Sequence, residues 1–338
     1  MSGDAVTSEQ RSGTAGGLAR ALARVWRIPE LSILLALIVV CLGFTFLAPT
    51  FLQKYNLLET ARNFSAIAIM ALGETMVILT GGIDLSVGSV LGLSACVTAI
   101  VMAGGYGAPL GLAAGLAVGA AFGLVNGLLV TRAKLPPFIA TLGTMSLGRS
   151  LAYGLTGGRP IGNLPESFLL GQRPNGMFWL NSVPIAIMLV LTALCAAYLA
   201  YTKRGRETYA VGGNETAARL SGVDVTRVKL IAYTTAGALC AVAGALMVMW
   251  LEIAQPTYGQ GYELDAIAAT VIGGTSLAGG QGSVIGALLG AALIGVIRNG
   301  LVQMEVAGEW QLGVLGVVII LAVIVDVLRR RNGGRIKC

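Results

Sequence analysis

About ten apolar runs, each close to the twenty or so residues that carry a helix across a bilayer core, recur along the chain. They fall roughly at 31–48, 64–80, 88–104, 109–130, 137–155, 183–202, 231–251, 264–279, 284–302 and 311–328. A backbone inside lipid must satisfy its own amides and carbonyls, so these runs predict an all-α, polytopic membrane protein of about ten transmembrane helices. Only 12% of the 338 residues are charged, against about 25% in a soluble chain, which leaves little room for another class. The eighth run, DAIAATVIGGTSLAGG, is short and interrupted by glycines, the mark of a broken or re-entrant helix. The chain divides into a polar segment 1–30, a membrane domain 31–328 and a basic tail 329–338. In the first segment Leu18, Leu22, Val25 and Trp26 share a helical face flanked by Arg20, Arg24 and Arg27, a pattern that suits a helix lying on the inner leaflet.

Lysines and arginines near the ends of spans are retained in the cytoplasm. Arg11, Arg20, Arg24 and Arg27 precede the first run, Arg132 and Lys134 follow the fourth, and Arg329, Arg330, Arg331, Arg335 and Lys337 follow the tenth. The segments 252–263 and 303–310 carry only acidic charge. An even number of crossings with both termini cytoplasmic is the expected layout. The formal net charge of +7 is therefore topological; aromatic residues of the kind that stack bases are not interleaved with it, and nucleic acid is not an expected partner.

The most polar internal loop, 203–229, carries Lys203, Arg204, Arg206, Arg219, Arg227 and Lys229 and is expected in the cytoplasm. Gly212 and Gly213 break the chain, Asn214 is a ready N-cap, and Gly222 closes a short helix from Glu215 to Leu220. Glu215 in its first turn and Arg219 in its last complement the helix dipole. Ala217 and Ala218 are small enough for a partner surface to approach closely.

Polar groups inside the apolar runs are the next signal, because a charge at bilayer depth is costly and usually finds a partner or a water-filled path. Glu74 lies in the middle of the second run, with Arg149 and Arg298 as possible partners in the fifth and ninth. GGIDLSVGS at 81–89 puts Asp84 and the hydroxyl of Ser86 where the third run begins, and Asp84 is expected to cap that helix. KLPPFIATLGT at 134–144 opens the fifth run and offers the hydroxyls of Thr141 and Thr144. GAAFGLVNGLLV at 119–130, with Asn126, resembles GVIRNGLV at 295–302, with Arg298 and Asn299. An offset of five spans would make these two copies of an inverted repeat, although small-residue helices also look alike for simple reasons of packing. Gly111, Gly115, Gly119 and Gly123 recur every four residues, the spacing that lets helices approach closely.

The chain has no histidine, which removes His-based triads, zinc sites of the HExxH type and histidine proton relays. None of its lysines (Lys54, Lys134, Lys203, Lys229, Lys337) follows a glycine, so there is no phosphate-binding loop and no expected nucleotide or other cofactor. Cys41, Cys96, Cys195 and Cys240 fall within apolar runs and Cys338 is the last residue, an arrangement without a disulfide or metal pattern. The chain is expected not to be an enzyme.

GGIDLSVGSVLGL, NGLLVTRAKLPPFIATLGTMSLGRSLA, GRETYAVGGNETAARLSGVDVTRVKL and AIAATVIGGTSLAGGQGSVIGALLG follow one another in this order. Together they resemble the permease subunits of bacterial ABC sugar importers of the ribose, xylose and galactose type, over about residues 51–329. The resemblance implies a multi-pass inner-membrane subunit that pairs with a second permease, as a homo- or heterodimer. It would receive a monosaccharide from a periplasmic sugar-binding protein and be driven by a separate cytosolic ATPase. It also implies that Asn214, Glu215, Ala217, Ala218, Arg219, Leu220, Ser221 and Gly222 form the coupling helix that the ATPase moves. Related permeases carry branched-chain amino acids or nucleosides. An ion-coupled secondary transporter using Glu74 and Asp84, and a membrane scaffold without transport, are the readings from other classes.

Overall fold

A computed structural model describes residues 29–169 and 182–333. Helices dominate these residues, and the only β pairing among them is an isolated bridge between Ile161 and Ala254. The expected surface helix in segment 1–30 and the last residues of the tail lie outside the described residues.

The first helices are α1 (Pro29–Leu47), α2 (Lys54–Leu79), α3 (Val87–Val101), α4 (Gly107–Thr131) and α5 (Pro137–Thr156). There follow α6 (Val183–Tyr201), α7 (Lys203–Gly213), α8 (Glu215–Leu220), α9 (Val225–Leu251), α10 (Tyr262–Ile272), α11 (Val284–Gln303) and α12 (Gly308–Gly333). Among the described residues six stretches are long and apolar enough to cross a membrane: Glu30–Leu47, Lys54–Leu79, Val87–Thr131, Val183–Tyr201, Val225–Leu251 and Val284–Gln303. The third of these is a hairpin. A π turn at Met102–Tyr106 ends with Gly105 at φ 85°, and α4 then runs back along α3, bringing Gly111 to Met102 and Gly115 to Thr98. A left-handed residue is the sharp stop that glycine adopts without strain.

Buried over most of their length, α2 and α9 form the centre of the bundle and pack on each other. Around them α9 holds α3 and α4, while α2 holds α10 and α11. The glycine row of α4 is divided between two neighbours: Gly111 and Gly115 meet α3, whereas Gly119 and Gly123 meet the α9 backbone at Gly237 and Tyr233 so closely that a Cβ would overlap it. By contrast α1 keeps most of its apolar surface outward, including Val39, Leu42 and Phe46, as a lipid-facing helix does.

Two helices are too short to cross a bilayer core by themselves. α10 has 11 residues, about 16 Å of helix, roughly half of a ~30 Å bilayer core. It is preceded by non-helical chain over 252–261. The glycines of the eighth run do interrupt it: the helix ends at Ile272 and residues 273–283 are non-helical. α3 is also preceded by a break, which the sequence pattern does not reveal: with 15 residues it measures about 22 Å, and residues 81–86 climb back alongside α2 before it starts. The two breaks touch where Gly88 meets the backbone of Gly259, a contact that leaves no room for a Cβ. Arg149 fixes the second break by donating to the carbonyls of Pro256 at 2.7 Å and Tyr258 at 2.8 Å.

The basic loop gathers at one end of this bundle, together with the end of α4 and the start of α5, which carry Arg132 and Lys134. This is called the basic end below; the opposite one, where α9 and α11 finish, is the far end.

Candidate functional site

Near the basic end, the break before α3 is held by a buried polar network. Glu74 accepts the backbone N–H of Asp84 at 3.0 Å. Asp84 in turn accepts the N–H and Oγ–H of Ser86 at 2.8 and 2.6 Å, and Asn126 of α4 donates to Asp84 Oδ2 at 3.3 Å and to Ser86 Oγ at 2.8 Å. Thr144 of α5 donates to Asn126 Oδ1 at 2.6 Å, and Thr141 accepts from the N–H of Leu85 at 3.2 Å. All six of these side chains are buried. Polar atoms out of water need such partners, each missing one costing about 1–3 kcal/mol. Two atoms in this region lack one among the described residues, Glu74 Oε2 and the hydroxyl of Tyr233 from α9.

Two expectations are corrected here. Asp84 is not the N-cap of α3: the helix starts three residues later, its cap position is Ser86, and Asp84 folds onto Ser86 and Asn126 instead. Nor does Glu74 pair with Arg149 or Arg298. Both guanidinium groups are engaged elsewhere, Arg149 on the second break and Arg298 on Asp265.

A second polar group lies toward the far end. Arg298 of α11 pairs with Asp265 of α10 at 2.7 Å. Asn299 and Asn56 exchange amide hydrogen bonds at 2.9 Å in both directions, and Gln303 donates to Asn56 at 2.8 Å. Arg62 pairs with Glu59 and lies over the Trp250 ring, 4.4 Å from its centroid. Asp265, Asn56, Arg62 and Trp250 are not singled out by the sequence. Asp265 carries a readable signal, an acid at the head of a glycine-rich apolar run; Asn56 and Arg62 stand in what reads as a connector, because the apolar pattern of α2 begins well after the helix does.

On the basic loop the short helix stands as expected. Asn214 Oδ1 accepts the N–H of Ala217 at 2.9 Å, and Gly222 adopts φ 82° just beyond the end. What precedes it is not broken chain. α7 is a helix capped by Thr202, whose Oγ1 accepts the N–H of Gly205 at 2.9 Å. Gly212 and Gly213 finish that helix and let it press against the end of α2 at Leu79 and against Gly280. Ala218 also departs from expectation: it is buried among Val211, Val225 and Val228, so it anchors the helix and does not face a partner. Ala217, Arg219, Leu220 and Ser221 make the exposed face, with Leu220 85% exposed. Lys229 of α9 binds Glu215 at 2.7 Å, and Arg219 binds it at 2.9 Å. The Lys229 hydrogen bond holds the Glu215 carboxyl below its ordinary value, with Arg219 adding to the effect and partial burial opposing it.

The family described as the permease component of the branched-chain amino acid transport system matches residues 56–323. The chain belongs to that permease family. It is 46% identical over 292 residues to the ribose import permease protein RbsC of Bacillus subtilis (strain 168), covering 86% of this chain and 91% of the relative. It is 42% identical over 313 residues to RbsC of Escherichia coli (strain K12), covering 91% and 96%. The autoinducer 2 import system permease protein LsrC of Photorhabdus luminescens is 36% identical over 290 residues, 85% of each chain. No solved structure gives a significant match. The resemblance read from the motifs holds at the level of the family.

Proposed function

We propose that this chain is the membrane subunit of an ATP-driven importer that moves a monosaccharide of the ribose class into the cell. The observation that carries this reading is the 42–46% identity to ribose import permeases over nearly their whole length. The chain sits in the cell membrane with its basic end in the cytoplasm. Ten segments cross or enter the bilayer: the hairpin counts as two, and α5, the broken α10 span and α12 complete the set begun by the other stretches. Both termini are then cytoplasmic.

The packing supports an inverted repeat of the second to fifth and seventh to tenth segments. α9 contacts α3 and α4, α2 contacts α10 and α11, and α2 meets α9 at the centre. Each half has a broken span whose acid, Asp84 or Asp265, is gripped from the following long helix, by Asn126 or by Arg298. Discontinuous spans of this kind commonly form the site in repeat-built transporters.

A separate cytosolic ATPase docks on Ala217, Arg219, Leu220 and Ser221, and a periplasmic binding protein delivers the sugar at the far end. A second permease, a copy of this chain or a partner, completes the pore. Membrane vesicles holding the chain with a ribose-importer ATPase and binding protein should take up labelled D-ribose when ATP is added. Uptake of L-leucine in place of D-ribose would move the substrate to the amino-acid branch of the family. Uptake driven by an ion gradient without ATP would replace the reading with secondary transport through Glu74 and Asp84.

A further inference from the structure

A cavity of about 260 Å³ opens among the far-end halves of α2, α6, α9, α10 and α11. It reaches from Trp250 and Val302, each one residue short of the end of its helix, inward to Ile67 and Gly295. We infer that this cavity is a binding site for one neutral sugar ring within a single permease subunit. The inference rests on the monosaccharide reading above and adds where the sugar is held.

Size comes first. Ligand pockets start at about 300 Å³ for drug-sized molecules, so this one suits a single furanose or pyranose and excludes a disaccharide. The walls come in two kinds. Phe64, Leu246, Met247, Trp250 and Tyr262 offer apolar and aromatic surface, which the C–H faces of a sugar cover. Arg62, Asn63, Arg298 and Asn299 add hydrogen-bonding groups to the same wall.

Charge then narrows the class. Both guanidinium groups in the wall are already neutralised, Arg62 by Glu59 and Arg298 by Asp265. An anionic ligand would find no net positive charge here, and a cation no free carboxylate. A ligand with many hydroxyls and no charge gains hydrogen bonds from both ion pairs without disturbing either. The same pairs hold the walls in place: Arg62 fixes the Trp250 indole by lying on it, and Arg298 is fixed by Asp265. A site whose donors are set before the ligand arrives loses little on binding.

The test uses the full importer in vesicles, with D-ribose as the probe. Trp250→Leu removes an aromatic wall, and Asn299→Leu a hydrogen-bonding one. Each variant should lower uptake at sub-saturating ribose by about tenfold, as expected when one buried hydrogen bond or its equivalent is lost, while binding protein still stimulates ATP hydrolysis. Asn63→Cys serves as a second probe, because the assembled protein can be modified after folding. A bulky thiol reagent at this position should block uptake, and millimolar D-ribose but not sucrose or L-leucine should slow the modification. Wild-type uptake in both wall variants, or modification of Asn63→Cys that D-ribose leaves unchanged, would overturn the site. Failure of the unmodified importer to carry any monosaccharide would instead overturn the function proposed above, so the two failures are distinct.

Discussion

The Asp84 cluster near the basic end and the Asp265 cluster near the far end begin from the same situation, an acid placed at a broken span, and end in different environments. The Asp84 carboxyl is held by uncharged groups, Ser86, Asn126 and, one step further, Thr144, with the Glu74 carboxyl on its backbone N–H, all buried. Around Asp265 the partner is a cation, and Arg298 keeps 32% of its side chain exposed beside an open cavity. An ion pair is costly to bury unless its remaining polar groups are met, and a carboxyl surrounded by hydrogen-bond donors can be packed away from water. One cluster is packed away near the basic end, and the other stands beside a cavity near the far end.

The largest expected effect comes from breaking the sealed cluster. Asp84→Ala strands the Asn126 amide and the Ser86 N–H, each costing about 1–3 kcal/mol. Thermal unfolding in detergent should show the loss together with lower membrane abundance. Asp84→Asn keeps the shape but turns one amide group toward another, and should recover only part of the stability. Wild-type stability in the Asn variant would show that the cluster needs no carboxylate, and the contrast with the far end would lose its basis.

Next in size is the contact between the two breaks. Gly88→Ala must push the backbone at Gly259 away, an overpacking cost of about 1–3 kcal/mol. The expected result is reduced stability with an equally reduced rate of uptake, since both broken spans shift together. Lost uptake at full stability would mean that the contact serves movement alone.

A smaller effect is expected at the far end. Breaking a fully buried ion pair costs about 3–5 kcal/mol, but Arg298 lines the cavity with 32% of its side chain exposed, and its removal opens that space to water, so Arg298→Ala should cost only about 1–2 kcal/mol. The double variant with Asp265→Asn should regain part of that. A single-variant loss as large as that of Asp84→Ala would show the far-end cluster to be packed away as well.

Much of this architecture was legible because lipid restricts the backbone so severely. Apolar runs placed the helices, and Asn214 with Gly222 marked α8 at its true boundaries. The break before α3 was not legible, since GGIDLSVGS reads equally well as a turn and a cap; only the return of Asp84 to Glu74 distinguishes them. Glu74 invited an arginine as partner on the grounds of cost, yet a backbone N–H answered it. Ala218 could not be assigned a direction from a six-residue helix that offers too few turns to show a buried stripe. Arg62 and Trp250 come together only through the packing of α2 on α9, across a sequence separation that no local pattern spans.

The smallest effect on stability belongs to the ion pair that ties α8 to α9, and it tests whether the basic end is held by its core or by its loop. Glu215 has 42% of its side chain exposed and Lys229 has 16%, so the pair is worth about 0–1 kcal/mol after solvent screening. Because the Glu215 carboxyl is depressed below its ordinary value of 4.5 in the folded chain, the stabilisation is present above that pH and is lost as pH falls through the lower, folded value. Between neutral pH and about pH 5 nothing should change. Lys229→Met should leave the unfolding temperature almost unmoved and should speed amide exchange in 215–222 by up to about fivefold. Glu215→Gln should remove the acid dependence of that exchange. If Lys229→Met instead lowered stability as far as Asp84→Ala does, the loop would be part of what holds the basic end, and an ATPase pulling on α8 would be loosening that end directly.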